Sequence, residues 1–185
     1  MHRSYLLQSQ RLGFAAWEDG DVALAVALWG DSRVTRWIGG PFSEDAIRTR
    51  LQREVDSQVA HGMQYWPLFQ LSDGAHVGCC GLHPMADEPG QLEIGFHLRF
   101  EHWGQGYAPE AARTAIRHAF AALGARQLFA GHHPDNQASR AVLARLGFRY
   151  THDAYYGPTR MLHASYLLTA DEFRQAEAAT GPGRT

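Results

Sequence analysis

Two glycines stand where a strand-like segment gives way to a helix-like one. They are Gly104 and Gly106, between the strand-like residues 91–100 and the helix-like residues 107–123. A turn that opens a helix presents unpaired N–H groups and the positive end of the helix dipole, and glycine lets a ligand approach the main chain closely. The segment therefore predicts a site for the pyrophosphate of a nucleotide-tailed cofactor, and the alternative is an ordinary turn.

Two common phosphate-binding motifs do not fit this turn. A P-loop requires lysine and then serine or threonine directly after its last glycine, whereas Tyr107 and Ala108 follow Gly106. A Rossmann fingerprint requires a third small residue where Pro109 stands and an acidic residue about 20 positions later. What remains is a turn that binds phosphate through main-chain N–H groups, without lysine and without a metal ion.

A second polar pair lies at the start of a later helix. Asn136 and Ser139 are three positions apart, so both side chains can face one cleft. The alternative interpretation is that Asn136 only caps the helix and that Ser139 is an ordinary surface residue.

Periodicity places these residues on a mixed array of strands and helices. Predicted strands cover residues 11–17, 63–71, 75–82, 91–100, 127–131, 148–152 and 161–168. Predicted helices cover 19–29 (with Asp19 or Asp21 as N-cap), 31–38, 43 to about 62, 107–123 and 134–146. The order predicts one α+β or α/β domain over residues 1–170, with a mixed sheet and helices on its faces. Residues 171–185 form a C-terminal tail that begins as a helix and ends disordered.

Composition limits the class of protein. The 185 residues carry 17 basic and 19 acidic side chains, a net charge of −2, which argues against binding to nucleic acid or to a membrane surface. No apolar run is long enough to span a membrane, and the N-terminus lacks the apolar core of a signal peptide. The adjacent Cys79 and Cys80 predict reduced thiols in a strand, and together these features predict the cytoplasm. The 11 scattered histidines predict surface positions rather than a metal centre.

The two polar segments together resemble a known family. Residues 103–111, Trp-Gly-Gln-Gly-Tyr-Ala-Pro-Glu-Ala, look like the acetyl-CoA loop of the GNAT acetyltransferases, most of all the branch that acetylates ribosomal-protein N-termini (the RimJ/RimL type). Residues 136–139, Asn-Gln-Ala-Ser, followed by Leu-Gly-Phe at 146–148, are similar to the second motif of that branch. Arg11-Leu12, Val77-Gly78 and residues 93–96 also fit, and the resemblance runs from about residue 11 to residue 168.

This resemblance implies a fold and a cofactor site. The fold is a mixed, mostly antiparallel sheet that splays between residues 91–100 and 127–131, where the pantetheine arm of acetyl-CoA lies. The N–H groups of residues 104–108 bind the pyrophosphate, and N–H groups near residues 96–98 polarise the thioester carbonyl. Arg140, like Arg113, is within reach of the ribose phosphate, unless it lies on a solvated helix face. The expected cofactor contacts are Phe96, His97, Leu98, Trp103, Gly104, Gln105, Gly106, Tyr107, Ala108, Asn136, Ser139 and Arg140.

The resemblance also implies a reaction in which an amine attacks the thioester directly. Glu93 is the expected proton acceptor, directly or through a water, and the alternative is an exposed strand glutamate. Asn136 is expected to contact the cofactor arm, and Ser139 to donate a hydrogen bond to the departing sulfur. Many family members have a tyrosine as general acid four residues before the Gly-Phe pair. That position is Leu143 here, so the role falls to Ser139 or to water.

The expected activity is acetyl transfer from acetyl-CoA to a primary amine. The first-choice acceptor is a protein or peptide N-terminus. The alternatives are a small amine (an aminoglycoside, polyamine or amino acid), a longer acyl donor, or an acyl-CoA-binding module without catalysis. The chain is expected to be a monomer or homodimer. His132 and His133 are expected to line the substrate pocket rather than to bind metal. The acceptor wall is drawn from Trp29, Trp37, Phe42, Tyr65 and Trp66, for which core packing is the alternative.

Overall fold

The computed structural model describes residues 3–85 and 88–180. Two short 3-10 turns, Asp19–Asp21 and Phe100–His102, accompany the regular elements. The strands are β1 (Leu7–Gln8), β2 (Leu12–Phe14), β3 (Tyr65–Gln70), β4 (His76–Pro84), β5 (Gln91–Leu98), β6 (Gln127–His132), β7 (Arg149–Tyr156) and β8 (Met161–Thr169). The helices are α1 (Val22–Trp29), α2 (Ser32–Thr35), α3 (Glu44–His61), α4 (Tyr107–Ala121), α5 (Gln137–Arg145) and α6 (Ala170–Thr180).

The strands form one mixed sheet, which confirms the predicted fold class. Its order is β1-β2-β3-β4-β5-β6-β8-β7, and β5 with β6 is the parallel pair among antiparallel neighbours. The parallel ladder is short, because it joins only Gln91 to Gln127, Leu92 to Leu128 and Glu93 to Phe129. Beyond those pairs β5 continues to Leu98 and β6 to His132 without pairing to each other. The sheet therefore opens between its two central strands.

Two apolar clusters hold helices on the two faces of the sheet. On one face the alanines of α4 pack on the strands, and Ala111, Ala115 and Ala119 are fully buried, which allows a close approach of helix and sheet. On the other face α1 and α3 pack around Trp29 and Tyr65. Because side chains alternate along a strand, the two faces of β5 differ: Ile94 and Leu98 join the α4 cluster, whereas Glu93, Gly95 and His97 face α1 and α3.

Helix α3 has the predicted ends, and helix α4 ends close to its predicted end. Helix α3 begins after Ser43, whose Oγ accepts a hydrogen bond from the N–H of Ala46 at 3.3 Å, and it stops at Gly62, where φ is 68°. Helix α4 ends at Ala121, two residues before the predicted end, and Gly124 follows with a φ of 66°. Glycine is favoured at both positions because it tolerates the left-handed conformation.

Several boundaries differ from the prediction. Asp21, one of the two predicted N-cap residues, is the N-cap residue of α1, but its side chain makes no hydrogen bond to that helix and instead accepts from the N–H of Glu18 and pairs with Arg3. Asp19 lies in the preceding 3-10 turn. The helix predicted at 31–38 covers only Ser32–Thr35. The first predicted strand is reduced to Leu12–Phe14, and β1 was missed. Strand β7 runs to Tyr156 because it pairs along its length with β8.

The C-terminal helix α6 packs on the domain through Phe173, which is buried against Phe120. The division of the chain at residue 170 stays a prediction, and residues 181–185, for which disorder was predicted, lie outside the described residues. Within residues 3–85 and 88–180, no helix has both the length and the apolar character needed to cross a membrane.

The histidine prediction is wrong at several positions. His76 and His163 are buried rather than at the surface, and so are His132 and His133, which were expected at the substrate pocket. Burial and the nearby Arg99 lower the pKa of His76 to about 4, so this side chain is neutral at physiological pH. In the described part of the chain, no group of three or more His, Cys, Asp or Glu side chains is arranged to hold a metal ion.

Candidate active site

A cavity of about 830 Å³ lies in the opening between β5 and β6. It extends from the turn before α4 to the face of the sheet that α1 and α3 cover. Residues from nine helices and strands and their flanking turns line it, including Arg50 of α3, Glu93 and His97 of β5, Ser139 of α5 and Tyr156 of β7. Most of the predicted cofactor contacts lie along it, namely Phe96, His97, Leu98, Trp103, Gly104, Gly106, Tyr107, Ala108, Asn136 and Ser139.

The turn before α4 has the geometry of an anion site. Gly104 and Gly106 have φ angles of 74° and 77°, a conformation that favours glycine. A Cβ on Gly104 would meet nothing within 4 Å, and a Cβ on Gly106 would meet only Arg11 Nη2, at 3.6 Å. Gly106 is the N-cap of α4, and no described side chain caps that helix end. The first N–H groups of α4 are therefore available to a ligand at the cavity wall.

Arg11, the residue directly before β2, holds this turn in place. Its Nη1 donates to the carbonyl oxygen of Gln105 at 3.0 Å, and its guanidinium lies 4.4 Å from the ring centre of Tyr107. Glu110 of α4 fixes Arg11 through Nε, at 2.7 Å, and through the main-chain N–H, at 2.8 Å. Burial opposes ionisation of Glu110, but hydrogen bonds from Ser9 and Arg11 lower its pKa overall. Gln105 itself does not line the cavity, because its side chain caps the carbonyl of Glu101.

Glu93 lies at the point where the β5–β6 ladder ends. Its side chain is half-buried at the cavity rather than exposed on a strand. Burial raises the pKa of Glu93, while His83 and the hydrogen-bonding hydroxyl of Tyr65 oppose part of this rise. His83 is the cross-strand neighbour of Glu93, and its Nε2 lies 3.0 Å from Glu54 Oε2. Glu93 thus combines a desolvated carboxyl with polar groups that favour its ionised form.

Gly95 makes room for Tyr65 beside Glu93. A Cβ on Gly95 would lie 2.4 Å from Cζ and 2.5 Å from the hydroxyl oxygen of Tyr65. The phenol can therefore occupy this position only because residue 95 has no side chain. Further along the same face of β5, burial and the positive charge of Arg50 lower the pKa of His97 to about 3. His97 is neutral, and its Nδ1 lies 3.5 Å from Nε1 of Trp29.

Asn136 and Ser139 both line the cavity, at the N-terminus of α5. Asn136 is also the helix N-cap, since its Oδ1 accepts a hydrogen bond from the N–H of Ser139 at 3.1 Å. Leu143, at the position of the family's tyrosine, is buried and brings no hydroxyl to the cavity. Arg140 lies on the exposed face of α5 and does not line the cavity. Arg113 forms an ion pair with Glu177 of α6 instead of reaching this site.

The predicted aromatic wall is only partly present. Trp37 and Tyr65 line the cavity, whereas Trp29 and Trp66 are core residues and Phe42 lies outside the lining. His132 and His133 both line it, and the ring of His133 lies 4.6 Å from that of Trp37. Cys79 and Cys80 are buried free thiols of β4, as predicted, and burial raises the pKa of both.

The sequence reasoning missed the lining residues that come from α3 and from the β7–β8 hairpin. Arg50, Tyr155, Tyr156 and His163 reach the cavity from elements far from the two glycines in sequence. Arg50 lies in an amphipathic helix among other charged residues, and no local pattern separates it from them.

Comparison with known proteins identifies the family. The family model described as acetyltransferase (GNAT) domain matches residues 11–149 of the chain. An uncharacterized N-acetyltransferase, p20, of Bacillus licheniformis is 28% identical over 145 residues, which cover 77% of this chain and 82% of that protein. The FsC-acetyl coenzyme A-N(2)-transacetylase of Aspergillus fumigatus is 34% identical over 120 residues, 60% of this chain and 50% of that protein.

Among solved structures, the chain is similar to the RimL ribosomal L7/L12 alpha-N-protein acetyltransferase, determined in complex with coenzyme A. The TM-score is 0.74 at 20% sequence identity, over 89% of this chain and 97% of that one. At this identity the likeness establishes the fold alone. Since the family model spans more than half of the chain and the fold agrees with it, the chain belongs to the GNAT acetyltransferase family, whose members are acetyl-CoA-dependent N-acetyltransferases.

Proposed function

We propose that the chain acetylates a primary amine that enters the cavity from the side of α1 and α3. One observation carries this proposal. A single cavity joins an uncapped helix N-terminus, at Gly106, to a half-buried carboxyl with a raised pKa, at Glu93. The first feature suits the pyrophosphate of acetyl-CoA, and the second suits a base that takes a proton from an amine.

The residues present fit acetyl-CoA. The edge of β5 that faces β6 has no strand partner beyond Glu93, so its main-chain groups can pair with the pantetheine arm. The N–H groups of residues 104–108 would bind the pyrophosphate, with the positive charge of Arg11 beside them. The Asn136 side chain uses its oxygen for the helix cap and keeps its NH₂ group for the arm. Acetyl-CoA supplies the acetyl group as a thioester, and the chain supplies orientation and proton transfer.

Glu93 accepts the proton of the attacking amine, directly or through one water. A base with a raised pKa accepts a proton more readily at neutral pH than an ordinary carboxylate does. Main-chain N–H groups near residues 96–98 polarise the acetyl carbonyl. Ser139 donates a hydrogen bond toward the departing sulfur, a role left open because Leu143 replaces the family's tyrosine.

The first-choice acceptor remains a protein or peptide N-terminus, with the chain in the RimJ/RimL-like branch. Its support is the fold shared with an enzyme named as an alpha-N-protein acetyltransferase, together with the sequence motifs at 103–111 and 136–148. A small-molecule amine is the second candidate, because a relative with 34% identity is named as an N(2)-transacetylase of FsC.

Release of free coenzyme A thiol from acetyl-CoA tests the activity. A panel of short peptides with free N-termini and of small primary amines should include acceptors that give saturable release above the hydrolysis background. N-terminally blocked versions of the same peptides serve as controls and should give none. Saturable binding of acetyl-CoA with no release for any amine would contradict catalysis by this site.

A further inference from the structure

Arg50 is a half-buried arginine in the acceptor half of the cavity, and no ion pair with it is found in the part of the chain that the structure describes. It extends from α3 and lines the cavity, with its guanidinium 4.7 Å from the ring centre of Trp29. Its Nε is buried and makes no hydrogen bond. Within residues 3–85 and 88–180, no Asp or Glu forms an ion pair with it, in contrast to Arg11 and Arg33, which also lie near the cavity.

A buried Nε without a hydrogen-bond acceptor is costly. Arginine stays charged in proteins, and its donors lose their hydrogen bonds to water when they are buried. Proteins therefore pair buried guanidinium groups with carboxylates or leave them for a ligand that supplies one. The contact with the Trp29 ring restrains the position of the guanidinium at the cavity, and this preorganises its donors for a planar anion.

The charge of Arg50 reaches the groups that surround the proposed acceptor. It lowers the pKa of His97 and opposes the rise in the pKa of Glu93 and of Tyr156. Arg50, Glu93 and Tyr156 come from three different elements, so they surround one space instead of forming a local network. This space lies on the face of β5 that turns away from α4 and its phosphate-binding turn.

We propose that Arg50 binds a carboxylate of the acceptor, so that the substrate is a primary amine with a carboxylate close to it. This inference rests on the proposed acetylation of an amine beside Glu93. The carboxylate is either the α-carboxylate of an amino acid or the side chain of an aspartate or glutamate at a peptide N-terminus. Polyamines and aminoglycosides are disfavoured, because their positive charges would face an unpaired guanidinium.

Acceptor pairs that differ only in the carboxylate test this proposal. One arm compares peptides that begin with aspartate and with asparagine, and the other compares a free amino acid with its amide. For the wild type, kcat/KM should be about 10- to 100-fold higher for the acid of at least one pair, as expected for a charge-assisted bidentate contact. If only the peptide pair shows a preference for the acid, Arg50 binds the side-chain carboxylate of the first residue. If only the amino-acid pair shows it, Arg50 binds the α-carboxylate.

Arg50→Gln should abolish this preference, because kcat/KM falls about 10- to 100-fold more for the acid than for the neutral acceptor. Loss of the Arg50 charge also raises the pKa of Glu93, but this change acts on both acceptors alike and leaves their ratio unaffected. The ratio of kcat/KM for the acid to that for the amide is measured for each enzyme, and the ratios are then compared between enzymes. The different amine pKa values of the two acceptors cancel in this comparison, because they are the same for every enzyme. Arg53→Gln is the matched control, since Arg53 is exposed on the same helix outside the cavity, and it should keep the wild-type ratio. Affinity for coenzyme A, measured by calorimetry, should be the same in all three proteins.

Three results would overturn the proposal. The first is a wild-type enzyme that acetylates amines without preferring either acid. The second is an equal loss of kcat/KM for the acid and for the amide, both in Arg50→Gln and in Arg50→Lys. That result would make Arg50 a structural neighbour of Glu93. The third is loss of coenzyme A affinity with an unchanged acid-to-amide ratio. Each differs from failure of the proposed function, in which no amine would release thiol from the wild type.

Discussion

Glu93 and Phe129 form the last pair of the parallel ladder between β5 and β6. One residue therefore both ends the ladder and presents a carboxyl to the cavity that opens there. Beyond it the two strands separate, and the main chain of β5 becomes accessible along one edge. The proposed base thus lies at the inner end of the proposed slot for the pantetheine arm, and the proposed phosphate-binding turn follows the same strand.

Gly106→Trp should weaken binding of coenzyme A by about tenfold or more, because the side chain would cover the N–H groups that face the pyrophosphate. Gly74→Trp is the control, since Gly74 has a similar φ of 74° in a hairpin turn outside the cavity. Both changes carry a backbone cost of about 1–2 kcal/mol. Calorimetric titration with coenzyme A and thermal melts of both variants separate the two effects. Equal affinities in both would remove the turn from the cofactor site.

Glu93→Gln should slow acetyl transfer by about 100-fold or more while it stabilises the fold near neutral pH. Burial raises the folded pKa of Glu93 above the unfolded value of 4.5, so the folded state binds more protons between those two pKa values. Stability therefore falls as pH rises through this window, and glutamine removes that loss. The melting temperature of the variant should exceed that of the wild type at pH 7.5 but not at pH 4. An unchanged rate would assign Glu93 to structure alone.

Tyr65→Phe should move the acidic limb of the kcat/KM profile to higher pH. Burial raises the pKa of Glu93, and the hydrogen bond from the Tyr65 hydroxyl opposes this rise. Removal of the hydroxyl therefore raises the pKa of Glu93 further. Tyr150→Phe is the control, because the Tyr150 hydroxyl lies 3.2 Å from Asp153, on an exposed residue outside the cavity. Identical acidic limbs in wild type and Tyr65→Phe would show that Tyr65 does not tune the base.

Ser139→Ala should lower kcat about tenfold without lowering the melting temperature, because the helix cap uses the main-chain N–H of Ser139 and not its hydroxyl. Asn136→Ala should lower the melting temperature, since loss of the capping oxygen costs about 1 kcal/mol of stability. Steady-state rates and thermal melts of the two variants check this contrast. A wild-type kcat in Ser139→Ala would leave protonation of the sulfur to water.

The turn and the second polar pair could be predicted from the sequence because their structure depends on near neighbours. The φ angles of Gly104 and Gly106, and the cap that joins Asn136 to Ser139, are set within a few residues. The same holds for the helix ends at Gly62 and Gly124, where the left-handed conformation favours glycine. Local backbone chemistry thus predicted the proposed cofactor half of the cavity.

The acceptor half was decided by packing between distant segments. The cavity brings together Arg50, Glu93 and Tyr156 because α3 packs on the sheet beside β5. Strand β7 contributes because its pairing with β8 extends it beyond the end of β6. Burial also depends on this packing, which is why scattered histidines that were predicted at the surface, such as His76 and His163, are buried. Sequence periodicity identifies the face of an element that turns inward, but only the assembled sheet determines which inward side chains share a space.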